Sequence, residues 1–297
     1  MKLERIGILA HPKRPNTAPV AAHIARTFNE RGLATWVSTV WTDADIAGDL
    51  AATDMVIAIG GDGAMLRAAR AAAPFNVPVL GINMGYLGFL TEVTQPDAPN
   101  EWEHALAALL RGDCWIERRM MLHVEARHGD GSLHAMSDAL NDAVISRGDV
   151  TRMIRVPLYI DGDWTTTYHA DALIIATPTG STAYALASGG PILPPELRNI
   201  LIVPVAPHLS LDRPIVLPEG AAVRAMLEAD GETDPVLAVD GEPLCKLHSG
   251  DTISVYASEH TAQFVRLRDR TYFYRSLLDR LEPRVTPPNT SRINDGR

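Results

Sequence analysis

The sequence predicts an α/β N-terminal domain with a doubly wound, parallel sheet, followed by a mainly β C-terminal domain, which makes the chain α+β overall. Two patterns lead to this prediction. Up to about residue 114, short apolar strands alternate with amphipathic helices, as in βαβ units. From Trp115 to Gln263, mostly short strands follow one another and are separated by turns containing Gly, Asp and Pro.

The first half contains four predicted strands and four predicted helices. The strands are Ile6–Ala10, Leu33–Val40, Met55–Ile59 and Pro78–Ile82. The helices are Ala18–Glu30, Asp45–Ala52, Ala64–Ala73 and Glu101–Leu110. Ligands of doubly wound sheets bind beyond the carboxyl ends of the strands. The turns at 12–16, 60–63 and 83–88 are therefore expected at the binding edge.

In the second half, the stretch Thr179–Ala187 departs from the strand pattern and predicts a turn and a short helix. The amphipathic stretch Tyr272–Leu281 predicts a final helix. We therefore predict domains at 1–114 and at 115–267, a helix at 268–283 that returns to the first domain, and a flexible tail at 284–297.

The composition narrows the possible functions. The 297 residues carry a formal net charge of −9, which argues against a nucleic-acid-binding surface. No apolar run is long enough for a transmembrane helix, and the first residues lack the apolar segment that is typical of a signal peptide, so we expect no membrane association and a cytoplasmic location. Cys114 and Cys245 are far apart, which argues against a disulfide or zinc framework. The ten histidines show no ligand spacing, so His123, His128 and His134 are expected at surface or turn positions, and no metal-ligating residue is predicted.

The stretch Gly60-Gly61-Asp62-Gly63 joins a buried strand to a helix and is the strongest local signal. Glycines allow the backbone to approach a ligand, and a helix N-terminus suits a phosphate. A carboxylate beside a phosphate repels it, unless the carboxylate binds a metal ion or takes a proton from a hydroxyl group. Asp62 at this site therefore indicates phosphoryl transfer. The alternative is that Asp62 is only an N-cap. The stretch matches neither the Walker A motif nor the GxGxxG fingerprint.

Three further stretches can carry polar contacts to a nucleotide. Asn141 and Asp142 open an apolar strand and can bind a ribose or an adenine edge, or form only an Asx turn. The stretch Asp171–Tyr184 runs from a strand into Pro-Thr-Gly-Ser-Thr, which can line a polar pocket or simply cap a helix. Val239–Glu242 is typical of a hairpin turn.

Taken in order along the chain, these stretches resemble the NAD kinase family, whose members phosphorylate NAD to NADP and so control the intracellular balance of the two. The matching segments are Gly60–Gly63, Leu140–Asp142, Asp171–Tyr184, Pro207–Ser210 and Asp240–Gly241. The resemblance extends from about Ile6 to Leu281. The Thr-Pro-Thr-Gly-Ser-Thr-Ala-Tyr segment is highly specific, whereas diacylglycerol-type lipid kinases and phosphofructokinases also carry Gly-Gly-Asp-Gly.

The resemblance implies that NAD binds between the two domains and that the 2′-hydroxyl of its adenosine ribose accepts the phosphoryl group. Asp62 matches the aspartate that acts as general base or orients this hydroxyl. The other expected substrate contacts are Gly63 in the same turn, Arg67 for phosphate, Asn141 and Asp142 for adenosine, Asp171 for the nicotinamide half, Arg152, His169 and Glu242 at contact positions, and Thr182, Ala183, Tyr184, Ala185, Leu186 and Ala187 along the nucleotide pocket.

The family also implies ATP as the phosphoryl donor, with other nucleoside triphosphates and polyphosphate as open alternatives. A divalent cation, expected to be Mg²⁺, would accompany the donor. The expected oligomer is a homodimer or homotetramer. Three positions depart from the common pattern. Ala64 stands where many members have Thr, Glu242 where Gln is frequent, and His169 where some bacterial members have Arg, so NAD and NADH both stay open as acceptors. A lipid kinase and a non-catalytic dinucleotide sensor are the competing interpretations.

Overall fold

The computed structural model describes residues 3–39, 43–85, 88–94, 99–148, 152–228, 235–274 and 277. Residues up to Leu267 form one compact unit, and the residues from Arg268 form a second one. The predicted fold class is confirmed, because a parallel sheet with helices is combined with antiparallel, β-rich structure.

The first part alternates strands and helices as predicted. Its elements are β1 (Arg5–Ala10), α1 (Thr17–Asn29), β2 (Ala34–Ser38), α2 (Asp43–Leu50), β3 (Met55–Ile59), α3 (Asp62–Ala72), β4 (Val79–Asn83), β5 (Val93–Thr94) and α4 (Pro99–Arg111). The strands pair in parallel in the order β2-β1-β3-β4-β5. Ile6 and Ile8 pack with residues of α1 and α4, whereas Leu9 packs with residues of α2 and α3. Helices therefore cover both faces of the sheet, which is the doubly wound arrangement.

The second part is built almost entirely from strands. They are β6 (Trp115–Arg127), β7 (Leu133–Ala139), β8 (Asp142–Ser146), β9 (Ile154–Ile160), β10 (Asp163–Ala170), β11 (Ala172–Ala176), β12 (Asn199–Val205), β13 (Ile215–Pro218), β14 (Val223–Met226), β15 (Val236–Val239), β16 (Glu242–Lys246) and β17 (Thr252–Arg266). The short helix α5 (Tyr184–Ala187) follows a 3-10 turn at Gly180–Thr182, as the sequence predicts.

Within the described ranges, the strands form two sheets. One has the antiparallel order β13-β12-β11-β8-β15-β16. The other contains the parallel strands together with β6, β7, β9, β10, β14 and β17. Strand β17 connects the two parts of the chain, because it pairs with β6 and also in parallel with β4, where Phe264 lies opposite Val79. A shared core of mostly aliphatic residues lies between the two sheets. The division at residues 114/115 stays a prediction.

Helix α3 and strand β17 are two of the elements whose bounds differ from the prediction. Helix α3 begins at Asp62 rather than at Ala64, because the amides of Ala64 and Met65 both donate to the carbonyl of Gly61. Strand β17 has 15 residues and is much longer than the short strands predicted for this half, since its register shift between Ala257 and Thr261 accommodates polar residues before pairing resumes.

The predicted last helix is helical at residues 272–274 and at Leu277, and its other residues lie outside the described ones, as does the predicted tail. Its return to the first domain stays a prediction. No helix in the described ranges combines the length and the apolar character needed to cross a bilayer.

Candidate active site

The glycine turn lies where β3 ends and α3 begins. A Cβ on Gly60 would lie 2.6 Å from the Cβ of Ala64 and 3.2 Å from the His11 ring, so only glycine fits there without a shift. Ala64 is buried within the core on this side of the sheet. The packing therefore accounts for a small side chain at position 64, because its Cβ faces Gly60 at the end of β3.

Asp62 is the first residue of α3, and its carboxylate is held by the loop that follows β4. One carboxylate oxygen accepts the amide of Phe89 at 2.8 Å, and the other accepts the amide of Leu90 at 3.0 Å. A Cβ on Gly88 would overlap the carboxylate group of Asp62. The half-buried carboxylate is thus fixed between two strand ends. This is more than an N-cap needs, since an N-cap binds amides of its own helix.

A buried arginine supports the loop that holds Asp62. Arg266, at the end of β17, donates to the carbonyl of Leu90 and to the carboxylate of Glu92, both at 3.1 Å. It also donates to Glu117 at 2.8 Å. All three charged side chains are almost completely buried. A buried charge is retained only with such partners, so this network fixes the carbonyl of Leu90, whose amide binds Asp62.

Basic residues surround the open side of the glycine turn. Burial, followed by the positive charges of Arg14 and Arg67, lowers the pKa of His11 below its ordinary value. Arg67 lies one helical turn beyond Asp62 and forms an ion pair with Glu242. This arrangement suits an anionic ligand at the turn, because the helix N-terminus and the positive charges near His11 both favour a negative charge there.

The predicted adenosine contacts lie at one end of the antiparallel sheet. In the register of β8 and β11, Asp142 is opposite Ala176, so the turn after β11 reaches Asn141. The hydroxyl of Thr177 donates to the carbonyl of Leu140 at 2.5 Å, and its amide donates to the carbonyl of Asn141 at 2.8 Å. A Cβ on Gly180 would overlap that same carbonyl. The two predicted stretches therefore form one structural unit.

Asp240 holds this unit from the turn after β15. Its carboxylate accepts the amides of Leu140 at 3.0 Å, Asn141 at 2.7 Å and Asp142 at 3.2 Å. The carboxylate is turned into the protein, and desolvation raises its pKa. Burial, together with the nearby Asp240, raises the pKa of Asp142 to about 7. Asp142 can therefore act as a hydrogen-bond donor or as an acceptor near neutral pH.

Two contacts bring the glycine turn and the predicted adenosine contacts together. Glu242, at the start of β16, pairs with Arg67 and lies 3.1 Å from Arg70, both on α3. Leu140 belongs to the same core cluster as Met65 of α3. The helix that begins at Asp62 is therefore packed against the turn that precedes Asp142.

The segment from Thr182 to Ala187 follows the turn that contacts Asn141. Ala185 is buried, and the ring of Tyr184 is 44% exposed, so this ring is free to stack on a base. The other four members of the segment are partly or fully exposed, namely Thr182, Ala183, Leu186 and Ala187.

The remaining predicted contacts lie elsewhere. Asp171 precedes β11 and pairs with Arg147 at 2.9 Å, at the end of the sheet opposite to Asp142. At about 3.3 Å per residue, the five residues of β11 separate these ends by roughly 17 Å. The backbone of His169 accepts the amide of His208, and Arg152 is exposed. These three residues do not join the cluster around Asp62, and their roles stay predictions.

Sequence reasoning did not assign a role to Asp240, Gly88 or Arg266. The Asp240-Gly241 pair was visible, but such pairs are typical of hairpin turns, and Asp240 does have a positive φ of 51°. Gly88 was seen only as part of a turn at the binding edge. Nothing in the local sequence of Arg266 indicates that it lies beside Leu90.

Comparisons with known proteins identify the family. The family models of the N-terminal and C-terminal domains of ATP-NAD kinases match residues 6–113 and 140–267. The chain is 36% identical over 279 residues to an NAD kinase of Dehalococcoides mccartyi, which covers 94% of this chain and 96% of the relative. It is 45% identical over 221 residues to an NAD kinase of Pseudomonas fluorescens, covering 74% and 73% of the two chains.

Solved structures share the fold. A crystal structure of yeast NADH kinase complexed with NADH superimposes with a TM-score of 0.80 at 24% identity, covering 97% of this chain and 91% of that one. An NAD kinase from Archaeoglobus fulgidus in complex with ATP gives a TM-score of 0.70 at 23% identity, with 92% and 97% covered. The family models and the relatives in sequence together show that this chain belongs to the ATP-NAD kinase family.

Proposed function

We propose that this chain transfers the γ-phosphoryl group of ATP to the 2′-hydroxyl of the adenosine ribose of NAD, giving NADP and ADP. Membership of the ATP-NAD kinase family supports this reaction. The observation that carries the residue assignment is the fixed Asp62 carboxylate beside the predicted adenosine contacts.

Asp62 is proposed as the general base or orienting group. The 2′-hydroxyl donates its hydrogen bond to the carboxylate, the oxygen attacks the γ-phosphorus, and the bond to the ADP oxygen breaks while the proton passes to Asp62. Each carboxylate oxygen already accepts one amide and keeps a second lone pair for the substrate.

The donor phosphates are proposed to lie at the N-terminus of α3. Gly63 is exposed there and Arg67 stands one turn further along the helix. Phosphoryl transfer depends mainly on alignment and charge neutralisation, which amides and guanidinium groups provide. We write the divalent cation as part of the donor, Mg²⁺-ATP, because it enters with the phosphates.

The acceptor is proposed to extend along the antiparallel sheet. Asn141, Asp142 and the segment from Thr182 to Ala187 would hold its adenosine half, and Asp171 at the opposite end would lie near the nicotinamide half. A separation of roughly 17 Å between these ends suits an extended dinucleotide better than a mononucleotide. Arg152, His169 and Glu242 remain proposed contacts.

We also propose that the protein works in the cytoplasm as a homodimer or homotetramer, without a nucleic-acid or membrane partner. Both cysteines, Cys114 and Cys245, are free thiols, which agrees with a reducing compartment.

One assay tests the function. Purified protein is incubated with ATP, Mg²⁺ and NAD, and NADP is followed with an NADP-dependent dehydrogenase. We expect NADP formation that requires both substrates. Parallel reactions replace ATP by other nucleoside triphosphates or polyphosphate, and NAD by NADH, to define donor and acceptor. Diacylglycerol as acceptor tests the lipid-kinase alternative, and tight NAD binding without turnover would indicate a sensor. Absence of NADP with every donor would overturn the proposal.

A further inference from the structure

A cluster of histidines surrounds one buried aspartate at the end of β17 that is remote from Arg266. Asp251 directly precedes β17, His128 follows β6 and His134 lies in β7. The Nδ1 atoms of His128 and His134 lie 3.5 Å and 4.0 Å from the two carboxylate oxygens of Asp251. His248 adds a third imidazole, with its Nδ1 atom 3.7 Å from the same carboxylate.

These distances are too long for hydrogen bonds. A second cluster in the same chain shows what hydrogen-bonded histidines look like. Asp138 lies 2.7 Å from the Nδ1 atom of His123 and 2.8 Å from that of His260. The imidazoles around Asp251 are therefore arranged differently, although the residue types are the same.

The spacing around Asp251 suits a metal ion. Ligand atoms about 2.05 Å from a tetrahedral Zn²⁺ lie about 3.3 Å from one another. The ligand atoms of His128, His134 and Asp251 lie within 4.8 Å of one another, so small side-chain rotations close the set. The rings of His128 and His134 are stacked with centroids 4.1 Å apart, which keeps the two imidazoles next to each other.

Two further observations separate this cluster from a chance grouping. The Nδ1 atom of His134 is buried and has no hydrogen-bond partner among the described residues. Such an atom carries a desolvation cost unless a ligand satisfies it. Asp251 is 2% exposed, and it is oriented by the amide of His248, which donates to its carboxylate at 2.9 Å. Partners of this kind commonly orient metal ligands.

We propose that His128, His134 and Asp251 bind one Zn²⁺ ion, with His248 or water as the fourth ligand. The ion would fasten the β6–β7 hairpin to the turn before β17. The two ends of β17 are 14 residues apart, roughly 45 Å at about 3.3 Å per residue, so this site is separate from the one around Asp62. Imidazole and carboxylate ligands favour Zn²⁺ over Mg²⁺.

The test is Zn²⁺ binding to the untagged, EDTA-treated full-length chain, measured by competition with a chromophoric chelator. We expect one equivalent to bind, and His134→Gln and His128→Gln each to weaken the affinity at least about tenfold. His260→Gln is the matched control, because it removes an imidazole beside the other aspartate, and it should leave the affinity unchanged.

Co²⁺ provides a second readout, since a tetrahedral site with imidazole ligands gives intense visible absorption bands that the two variants should lose. Thermal unfolding of each variant verifies that it is folded. Stoichiometric Zn²⁺ binding that is equally tight in wild type, His134→Gln and His128→Gln would overturn the proposal, as would a wild-type chain that binds no Zn²⁺. Both outcomes are independent of NADP formation.

Discussion

Two turns of this protein are each fixed by an aspartate whose carboxylate accepts backbone amides. In one turn the aspartate belongs to the turn itself, and in the other it comes from a different strand. At the glycine turn, Asp62 itself accepts two amides from the neighbouring loop. At the turn before β8, Asp240 comes from another strand and accepts three amides. The carboxylate of Asp142 lies near that of Asp240, and no described residue forms a hydrogen bond with it.

The difference follows from solvation. Asp62 is only half-buried, and each of its carboxylate oxygens accepts one amide, so the carboxylate stays accessible to a substrate hydroxyl. Asp142 is 5% exposed and lies near a second carboxylate, so its pKa is about 7. The first arrangement suits a group that accepts a proton during reaction, and the second suits a group that recognises a ligand.

Replacing Asp62 should have the largest effect of the variants considered, and the effect should be on kcat. Asp62→Asn keeps the size of the side chain but removes the charge that accepts the hydroxyl proton. We expect kcat to fall at least about a hundredfold with a modest change in KM for NAD. The control is Asp54→Asn, because Asp54 also accepts two backbone amides, from Glu4 and Arg5, outside the site. Turnover of Asp62→Asn close to wild type would contradict the assigned role.

Moving the Asp62 carboxylate without changing its chemistry should have the next largest effect. In Gly88→Ala the new methyl group occupies the space of the carboxylate. We expect kcat to fall about tenfold to a hundredfold, since small displacements of a reacting group are costly. Gly85→Ala in the same loop is the control, because a Cβ there meets only an Asn83 oxygen at 4.0 Å. Equal kcat values for the two variants would count against a positioning role of Gly88.

At the second turn, the expected effect is on stability. Asp240→Asn turns one oxygen into an NH₂ group that faces amides, so the free energy of unfolding should fall by about 1–3 kcal/mol. Asp161→Asn is the control. Asp161 is in the same kind of Asp-Gly turn, with a φ of 53°, but it is exposed and, among the residues that the structure describes, accepts one amide, that of Ala222. Urea unfolding measures the free energy of unfolding of both variants. An equal decrease in the two would show that the three amide contacts of Asp240 do not stabilise the protein more than the single contact of Asp161.

The last prediction concerns the pKa of Asp142 and the way in which it makes stability depend on pH. The unfolded chain releases this proton near pH 4 and the folded chain near pH 7, so the folded state binds more protons between these values. Stability therefore decreases as the pH rises from 4 to 7. Asp142→Asn removes this dependence, and we expect a higher melting temperature than wild type at pH 8 but little difference at pH 5. A melting-temperature difference that does not vary with pH would exclude the raised pKa.

Much of the fold could be predicted because it depends on local patterns. Met55–Ile59 is apolar throughout and coincides with β3, and the spacing of apolar residues located α1 to within one residue at each end. The extent of β17 could not be predicted, since its middle is polar and only pairing with β6 continues the strand. The candidate site divides in the same way. Its glycine turn is a contiguous motif, whereas the hydrogen bonds from the amides of residues 140–142 to Asp240 join residues about 100 positions apart.

The sequence by itself determined the fold class, the position of the glycine turn between β3 and α3, and the family, because short contiguous stretches carry each of them. Only the tertiary structure decided which groups hold Asp62, why position 64 is alanine, and which aspartate supports Asn141. It also decided that His128 and His134, which lack ligand spacing along the chain, meet at Asp251. The physical reason is that strand pairing and core packing place residues side by side without regard to their separation in sequence.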